Sequence, residues 1–328
     1  MKKIVAVVAL VLIIGLGWFS VNKPVTSPVV DVEKVKVSVS LTPLSTPFFV
    51  AQQQGFYAKQ GLNVEVVPCR GGVHCAELLQ EGAVEYATTS GTVALFNSYY
   101  HDNIALLASF VKSSNDLKLL TLAPNQITSI HDLENKRIGI IKASASEYYF
   151  DFLLISNALQ DLQVERVYLK PDDMVNALLS DQVDAISIWE PYGYRASQLT
   201  SLPIINLGTE GIFQLTFNLV TTSPVDALNA RDKAMLLAIE EAITWIEEHP
   251  VDSIALISEQ LNIKPEQVEW SWNDYIFSLT NDYILLSNLQ MQARWASERD
   301  ILRGEPVDVR AMVRSEAFSD FKREASLQ

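Results

Sequence analysis

Apolar and polar residues alternate in short runs along the first third of the chain, and helical spacings separate these runs. Alternation over about 4–8 residues predicts a strand, whereas apolar residues three and four apart predict a helix. In order, this part contains a strand at 34–41, a helix at 47–60, a strand at 62–67, a helix at 74–81 and a strand at 83–88. Gly61 follows the first helix directly, in the position where a left-handed glycine ends many helices.

The same order of elements recurs between residues 136 and 188. It consists of a strand at 136–142, a helix at 147–159, a strand at 164–169, a helix at 172–179 and a strand at 183–188. In both halves a loop rich in small hydroxyl residues follows the first strand, so these loops would face each other if two lobes pack with their strand ends together. Mostly helical patterns follow Val220, and we expect them to complete the first lobe. The predicted fold class is α/β.

The extreme N-terminus has the pattern of an export segment. Lys2 and Lys3 precede an uncharged apolar run from Ile4 to Phe19, and a positive region before an apolar run is typical of a signal peptide. Residues 1–20 are therefore predicted to be a signal peptide or an N-terminal membrane anchor, with residues 21–34 as a linker. Both options stay open, because the run ends in Trp18 and Phe19 and offers no clean small-residue cleavage site.

The charge of the chain narrows the choice of partners. The formal net charge is −14, and it becomes −17 without residues 1–30, which hold three lysines and no acid. Such a surface disfavours nucleic-acid backbones and anionic membranes, so we expect no nucleic-acid partner. A small anionic ligand is not excluded, because it responds to the local site and not to the net charge.

The two cysteines of the chain, Cys69 and Cys75, enclose a Gly-Gly pair and His74. In an exported chain, two close cysteines around a flexible segment favour a disulfide. Metal binding by both cysteines and His74 is the alternative, although adjacent His74 and Cys75 are awkward ligands and a fourth is missing. Two free thiols are the third option.

The sequence offers little for catalysis. It contains no phosphate-binding Gly-rich Lys motif, no nucleophile elbow and no paired-His helix motif. Its four histidines are scattered, and only His74 is near the loops considered below. We therefore expect no catalytic residue, no metal site and no cofactor.

Two predicted helices begin just after small hydroxyl residues, which makes their N-termini candidates for ligand binding. Ser45 and Thr46 precede the first helix, and Ser144, Ala145 and Ser146 precede the helix of the second half. Unpaired backbone N–H groups and the helix dipole hold anions there without a lysine. The alternative is that these side chains only cap their helices.

Two further candidates follow the third strand of each half. Ser90, Gly91 and Thr92 follow one of these strands, where open α/β sheets bind ligands. Trp189, Glu190 and Tyr192 follow the other. An aromatic ring beside an acid can bind the cationic or amine end of a ligand. The alternative is that Trp189 belongs to the core and that Glu190 pairs with Arg195.

Several segments occur in an order that is typical of one family. They are 48–51 (Phe-Phe-Val-Ala), 55–64 from Gly55 to Val64, 82–87 (Gly-Ala-Val-Glu-Tyr-Ala), 132–139 from Asp132 to Gly139, 183–185 (Val-Asp-Ala) and 189–192 (Trp-Glu-Pro-Tyr). With these segments the chain resembles the periplasmic solute-binding proteins of nitrate, sulfonate and taurine importers, and the related binders of thiamine-pyrimidine precursors. It departs from them in having Glu85 where an Asp is usual, in the cysteine loop and in lacking the lipid-attachment Cys found in many members.

The resemblance implies a two-lobed, periplasmic-binding-protein-like fold of type II, with crossing strands between the lobes and the ligand in the cleft. Residues 35–122 would form lobe 1, residues 123–219 lobe 2, and residues 220–328 would return to lobe 1 with the C-terminal helices. The implied ligand-binding residues are Ser45, Thr46, Phe48, Ser90, Gly91, Thr92, Ser144, Ala145, Ser146, Trp189, Glu190 and Tyr192.

The function expected from the resemblance is that of the extracytoplasmic substrate-binding protein of an ABC importer. Its solute would be small and polar, anionic or zwitterionic, such as a sulfonate, taurine, nitrate or an aminopyrimidine. The expected partners are this ligand and an ABC permease in the inner membrane, with a monomeric protein in the periplasm, joined to the membrane at most through residues 4–19. A membrane-anchored sensor and a cofactor-biosynthesis enzyme of the same fold remain open.

Overall fold

The computed structural model describes residues 34–101, 103–222, 228–302 and 307–325. The predicted signal peptide or anchor, residues 1–20, and residues 21–33 of the predicted linker lie outside the described residues. Within the described ranges no helix is both long and apolar enough to cross a membrane.

Strands and helices alternate over the first two thirds of the chain, and helices dominate the rest. The strands are β1 (Lys34–Ser40), β2 (Asn63–Cys69), β3 (Tyr86–Ser90), β4 (Ala105–Ser113), β5 (Leu117–Leu122), β6 (Arg137–Ile140), β7 (Glu165–Tyr168), β8 (Ala185–Trp189), β9 (Ile204–Asn206), β10 (Leu215–Thr221) and β11 (Tyr275–Thr280). The helices are α1 (Thr46–Gln53), α2 (Phe56–Lys59), α3 (Gly71–Gln80), α4 (Gly91–Ser98), α5 (Ala145–Ser156), α6 (Pro171–Leu179), α7 (Tyr192–Leu199), α8 (Ala230–Glu248), α9 (Pro250–Leu261), α10 (Pro265–Trp272), α11 (Tyr283–Glu298), α12 (Val309–Met312) and α13 (Ser315–Ala325).

The strands form two sheets, each of which is the centre of one lobe. The first sheet has the order β11-β4-β10-β3-β1-β2, and the second has the order β7-β6-β8-β5-β9. In each sheet three strands are parallel, with the first in sequence between the other two, and an antiparallel strand pairs with the third. The recurrence predicted from the sequence therefore describes two equivalent α/β units.

The chain crosses from the first sheet to the second between β4 and β5, and it returns between β9 and β10. Both crossings occur a few residues before the predicted lobe limits, 122/123 and 219/220. As a result β5 lies in the second sheet and β10 in the first. The segment between β4 and β5 is only three residues long, Ser114 to Asp116, and it joins the two sheets directly.

The first predicted helix is interrupted. Residues 47–60 were expected to form one helix, but the structure contains α1 and α2, with Gly55 between them at φ 74°. This left-handed conformation is open to glycine and strained for other residues, so the helix breaks there. Gly61 also has a positive φ, 74°, as predicted for the residue that follows the helix.

The C-terminal helices pack on the first lobe. Met235, Ile239 and Ala242 on α8 are buried, and α8 packs against α1 and α2. Leu285 and Leu289 on α11 are buried as well, where α11 packs against α4. These apolar positions follow the helical spacing seen in the sequence, and those on α11 fix α4 behind the cleft described below.

Candidate functional site

The ends of the parallel strands in both sheets border one cleft. From the first lobe, the cleft is lined by Ser40 at the end of β1 and by Ser90 at the end of β3. From the second lobe, it is lined by Ser144 after β6 and by Trp189 at the end of β8. The carboxyl ends of parallel strands are where open α/β sheets bind ligands, so this cleft is the candidate site.

Three helix N-termini meet at the cleft. The lining residues include Gly71, Gly72 and Val73 in the first turn of α3, Ser90 before α4, and Ala145 at the start of α5. Each N-terminus presents backbone N–H groups without a helical partner and carries a partial positive charge. Among the described residues that line the cleft, none is Lys, Arg or His. An anionic group would therefore be bound by backbone dipoles and hydroxyls.

Two serines cap the helices that begin at the cleft. Ser90 Oγ accepts a hydrogen bond from Val93 N at 3.3 Å, and Ser144 Oγ accepts one from Ser146 N at 3.2 Å. Ser144 Oγ also donates to Ile141 O at 2.7 Å. Capping, the alternative to ligand binding, is therefore present at both positions. It does not exclude ligand contact, because both serines also line the cleft.

Other hydroxyls near the cleft have no partner. Ser40 Oγ and Thr42 Oγ1 are buried, line the cleft and make no hydrogen bond within the described part of the chain. The neighbouring Ser45 Oγ is buried and unpartnered in the same sense. Buried polar atoms normally have hydrogen-bond partners, and exceptions need an explanation. A bound ligand would supply partners for those that line the cleft.

Asp116, in the crossing between β4 and β5, is an acid in the wall of the cleft. Its Oδ1 accepts a hydrogen bond from Tyr275 Oη at 3.0 Å, and its Oδ2 is buried without a partner among the described residues. Burial, followed by the nearby charge of Glu190, raises the pKa of Asp116 to about 8. Nothing in the sequence singles out this residue, because Ser-Ser-Asn-Asp at 113–116 has the composition of an exposed turn.

Trp189 is the aromatic residue at the cleft. It ends β8 in the second lobe and meets the start of α3 in the first lobe, where a Cβ built on Gly71 would stand 3.1 Å from Trp189 Cζ2. The Trp189 and Tyr192 rings lie 6.3 Å apart at 81°. Trp189 therefore packs partly against the hydrophobic core, which was the alternative to ligand binding. It also lines the cleft.

Of the predicted ligand-binding residues, Ser90, Ser144, Ala145 and Trp189 line this cleft. Six others lie behind its wall and are packed or hydrogen-bonded within the protein. Thr46 Oγ1 donates to Pro43 O at 2.6 Å, and the Phe48 ring packs edge-on against Phe110 at 4.8 Å in the core. Ser45, Thr92 and Ser146 are buried without lining the cleft, and a Cβ on Gly91 would meet Leu289 of α11 at 3.0 Å.

Glu190 and Tyr192 are placed elsewhere. Glu190 is 1% exposed and borders a separate cavity beside Lys118 and Trp270. Its Oε2 accepts from Tyr194 N at 3.0 Å and its Oε1 from Trp270 Nε1 at 3.3 Å, so Arg195 is not its hydrogen-bond partner in these contacts. Burial raises the pKa of Glu190. Tyr192 Oη donates to Asp172 Oδ1 at 3.0 Å.

The predicted disulfide between Cys69 and Cys75 is confirmed, with a Cα–Cα distance of 5.3 Å. It closes the loop that carries Gly71 and Gly72 at the cleft. His74 Nδ1 accepts a hydrogen bond from Arg70 N at 3.2 Å. Within the described ranges, no group of three or more His, Cys, Asp or Glu residues could hold a metal ion.

Several cleft residues had a signal in the sequence that was assigned to another role. In the sequence Gly71 and Gly72 indicate a flexible part of the cysteine loop, but they begin α3 one residue after the end of β2 and line the cleft. Gly72 allows a close approach, because a Cβ there would stand 2.6 Å from Thr89 Oγ1 and 3.1 Å from Thr89 Cα. Leu215 and Phe217 also line the cleft from β10, and nothing in a buried strand distinguishes such positions by sequence.

Two lobes around separate sheets, with a cleft at their strand ends, define the periplasmic-binding-protein fold of type II. A solved structure with this fold is the alkanesulfonate-binding protein SsuA of Xanthomonas axonopodis pv. citri bound to MOPS. It superposes with a TM-score of 0.75 at 17% identity and covers 85% of this chain and 97% of its own. The predicted fold class is confirmed.

Residues 42–253 match the profile of the NMT1/THI5 like family, and the chain belongs to this family. A Bacillus subtilis protein named for binding aliphatic sulfonates is 24% identical over 242 residues, which are 71% of this chain and 72% of the relative. A Haemophilus influenzae protein named for thiamine biosynthesis is 22% identical over 257 residues, 72% of this chain and 78% of the relative.

Proposed function

We propose that this protein is the extracytoplasmic solute-binding component of an ABC importer, and that it binds a small polar solute in the cleft between its lobes. Residues 1–20 would direct the chain out of the cytoplasm or anchor it, and the folded part would act as a monomer. An inner-membrane permease would recognise the ligand-bound form. Ser90, Ser144, Ala145 and Trp189 are the predicted site residues that we assign to ligand contact.

One observation carries this proposal: unpartnered buried hydroxyls and three helix N-termini meet at a single cleft. Ser40 Oγ and Thr42 Oγ1 lack partners within the described part of the chain, and the starts of α3, α4 and α5 border the same space. This arrangement fits an anionic group such as a sulfonate or a carboxylate. The relatives named for sulfonate binding support the same class of solute.

The cleft also supports a closing motion. Its walls come from both lobes, so one ligand can contact Ser90 on the first and Ser144 on the second. Only a ligand with more favourable contacts in the closed form shifts the equilibrium towards that form. Closure about the crossings between β4 and β5 and between β9 and β10 would then report occupancy to the permease.

A binding role without chemistry agrees with the polar groups at the cleft. The hydroxyls of Ser90 and Ser144 are engaged in capping, and neither makes a hydrogen bond to a histidine in the described structure. His74 does not line the cleft. We therefore propose a binding protein and not an enzyme.

A thermal-unfolding panel tests the proposal. The purified protein is heated with sulfonates, taurine, nitrate, amino acids and aminopyrimidines, and a ligand at 100 times its dissociation constant stabilises it by about 2.7 kcal/mol. The double variant Ser90→Ala/Ser144→Ala should lose most of this ligand-induced increase in Tm. Asn229→Ala is the matched control, because it also removes a helix N-cap, on α8, but lies outside the cleft. No increase with any member of the panel would contradict the proposed function.

A further inference from the structure

The acid in the cleft wall has a free oxygen. Asp116 is 0% exposed, and Tyr275 Oη reaches only its Oδ1, at 3.0 Å. Oδ2 has no partner among the described residues, although Asn115 beside it and Glu190 near it both make side-chain hydrogen bonds. An oxygen buried in this way destabilises the ligand-free protein. A ligand that hydrogen-bonds to Asp116 Oδ2 would explain why this buried oxygen has no partner within the described part of the protein.

The groups around Asp116 show what kind of partner is missing. Glu190 at the start of the turn after β8 and Asp274 before β11 are acids, and both raise the pKa of Asp116. Lys118 on β5 and Tyr275 on β11 act in the opposite direction, but Lys118 Nζ donates to Asn115 Oδ1. Among the described residues, the charge of Lys118 therefore acts on Asp116 from nearby, but no cation contacts the free Oδ2.

The rest of the cleft favours the opposite charge. The N-termini of α3, α4 and α5 present N–H donors, and the unpartnered hydroxyls of Ser40 and Thr42 can donate as well. A simple anion would satisfy these donors, but it could meet Asp116 only as a protonated O–H donor and would be repelled by the carboxylate. A solute with an anionic group and a separate N–H-donating nitrogen would satisfy both parts of the cleft.

We propose that Asp116 binds a positively charged nitrogen of the ligand, so that the solute is a zwitterion, with its anionic group at the helix N-termini. This inference rests on the proposed solute-binding function and names the ligand class for the same site. It replaces Glu190, which the sequence favoured for the amine end, by an acid that lines the cleft. Since Asp116 is largely protonated at neutral pH when free, binding of the cation displaces the carboxyl proton to solvent.

Pairs of small anions that differ only in the nitrogen provide the test. The probes are 2-aminoethanesulfonate against 2-hydroxyethanesulfonate, 3-aminopropanoate against 3-hydroxypropanoate, and 2-aminoethylphosphonate against 2-hydroxyethylphosphonate. Titration calorimetry of the full-length protein at pH 7 should show the amine member of at least one pair binding roughly 10-fold tighter or more. In two buffers of different ionisation enthalpy, that amine should release about one proton and its hydroxyl analogue none.

The variant Asp116→Asn removes the charge at nearly constant volume. We expect it to bring the amine within roughly 3-fold of its hydroxyl analogue and to abolish the proton release. Asp173→Asn, an exposed Asp on α6, is the control for the change in net charge and should keep the preference. If Asp116→Asn does not fold, the proposal is still tested by the unmodified protein, through its preference for the amine over the hydroxyl analogue and its release of a proton on binding.

Each outcome has one meaning. A preference for the hydroxyl or unsubstituted anion, or equal affinities within every pair, would overturn the role of Asp116 and leave the proposed function standing. An amine preference that persists in Asp116→Asn would overturn the assignment to this residue. Absence of binding by all six probes, together with no stabilisation in the thermal panel, would overturn the proposed function and this inference together.

Discussion

Gly71 of the first lobe lies against the indole of Trp189 in the second. A Cβ on Gly71 would stand 3.1 Å from Trp189 Cζ2 and 3.7 Å from Cη2, and Gly71 has a φ of 78°. Position 71 therefore needs a glycine for two reasons: its backbone is left-handed, and a side chain would press on the Trp189 ring of the other lobe. The contact joins the two lobes beside the cleft, which both residues line.

The substitution Gly71→Ala should weaken ligand binding more than it weakens the fold. The added methyl group presses on Trp189 and moves the lobes apart, which disfavours the closed form, and we expect roughly a 10-fold loss of affinity, about 1.4 kcal/mol. The left-handed backbone adds about 1–2 kcal/mol of destabilisation. Titration calorimetry and thermal unfolding measure the two effects separately.

Gly82→Ala is the matched control for the backbone cost. Gly82 has a similar φ, 69°, but a methyl group added there would have no heavy atom within 4 Å. This variant should lose a similar amount of stability and bind ligand normally. Equal losses of affinity in both variants would show that the contact with Trp189 does not matter for binding.

The disulfide should stabilise the loop that brings α3 to the cleft. It joins residues six apart, and for a loop of this size the loss of chain entropy in the unfolded state gives about 2 kcal/mol. We expect Cys69→Ala/Cys75→Ala to lower the free energy of unfolding by about that amount and to weaken ligand binding. Denaturant unfolding with and without a reducing agent checks this.

The double variant, which has no disulfide, is the control for the effect of the reducing agent. A reducing agent should lower the midpoint of the unmodified protein and leave the double variant unchanged. If the unmodified protein binds ligand equally well before and after reduction, the loop is held in place by packing. The buried positions of Cys69 and Cys75, 1% and 0% exposed, would then supply that packing.

The order of strands and helices was predictable from the sequence because each element depends on the spacing of apolar residues close to one another in the chain. Alternation in β1 and the helical spacings on α8 and α11 need only neighbours in sequence, and the recurrence of one unit identified the equivalent loops after β1 and β6. The loops after β3 and β8 followed by the same argument, and Ser90, Ser144 and Trp189 line the cleft as a result.

The acid of the site was not predictable in this way. Asp116 is selected by three-dimensional packing, because the segment between two crossing strands is buried by β8, β10 and β11 from distant parts of the chain. Glu190 was preferred because it follows Trp189 directly. One residue along a chain turns a side chain towards the other face, and the Glu190 side chain accordingly borders a different cavity.

The buried Asp151 side chain should hold α5 against both β7 and α11. Asp151 on α5 is 1% exposed; it pairs with Arg166 and accepts a hydrogen bond from Trp295 Nε1 on α11 at 3.0 Å. Asp151→Ala leaves both partners unsatisfied and should lower the free energy of unfolding by about 3–5 kcal/mol. Asp181→Ala, which removes a more exposed partner of Arg137, should cost about 1 kcal/mol or less. Similar losses in the two variants would contradict this.

The stability of the ligand-free protein should fall as the pH rises through the range in which Asp116 titrates. Burial raises the pKa of this carboxyl from 3.8 to about 8, so between these values the folded protein keeps a proton that the unfolded chain has released. The stabilisation is complete below pH 3.8 and is lost as the pH approaches 8, at about 1.4 kcal/mol per pH unit for one proton.

Asp116→Asn isolates this contribution from that of Glu190, whose pKa burial also raises and which therefore changes stability in the same direction. The difference in unfolding free energy between the unmodified protein and the variant, measured with denaturant from pH 4.5 to 8.5, should shift steadily towards the variant as the pH rises. Parallel pH profiles would mean that Asp116 is ionised in the folded protein. Its free oxygen would then carry a full charge without any ligand, and no proton release on binding would be expected.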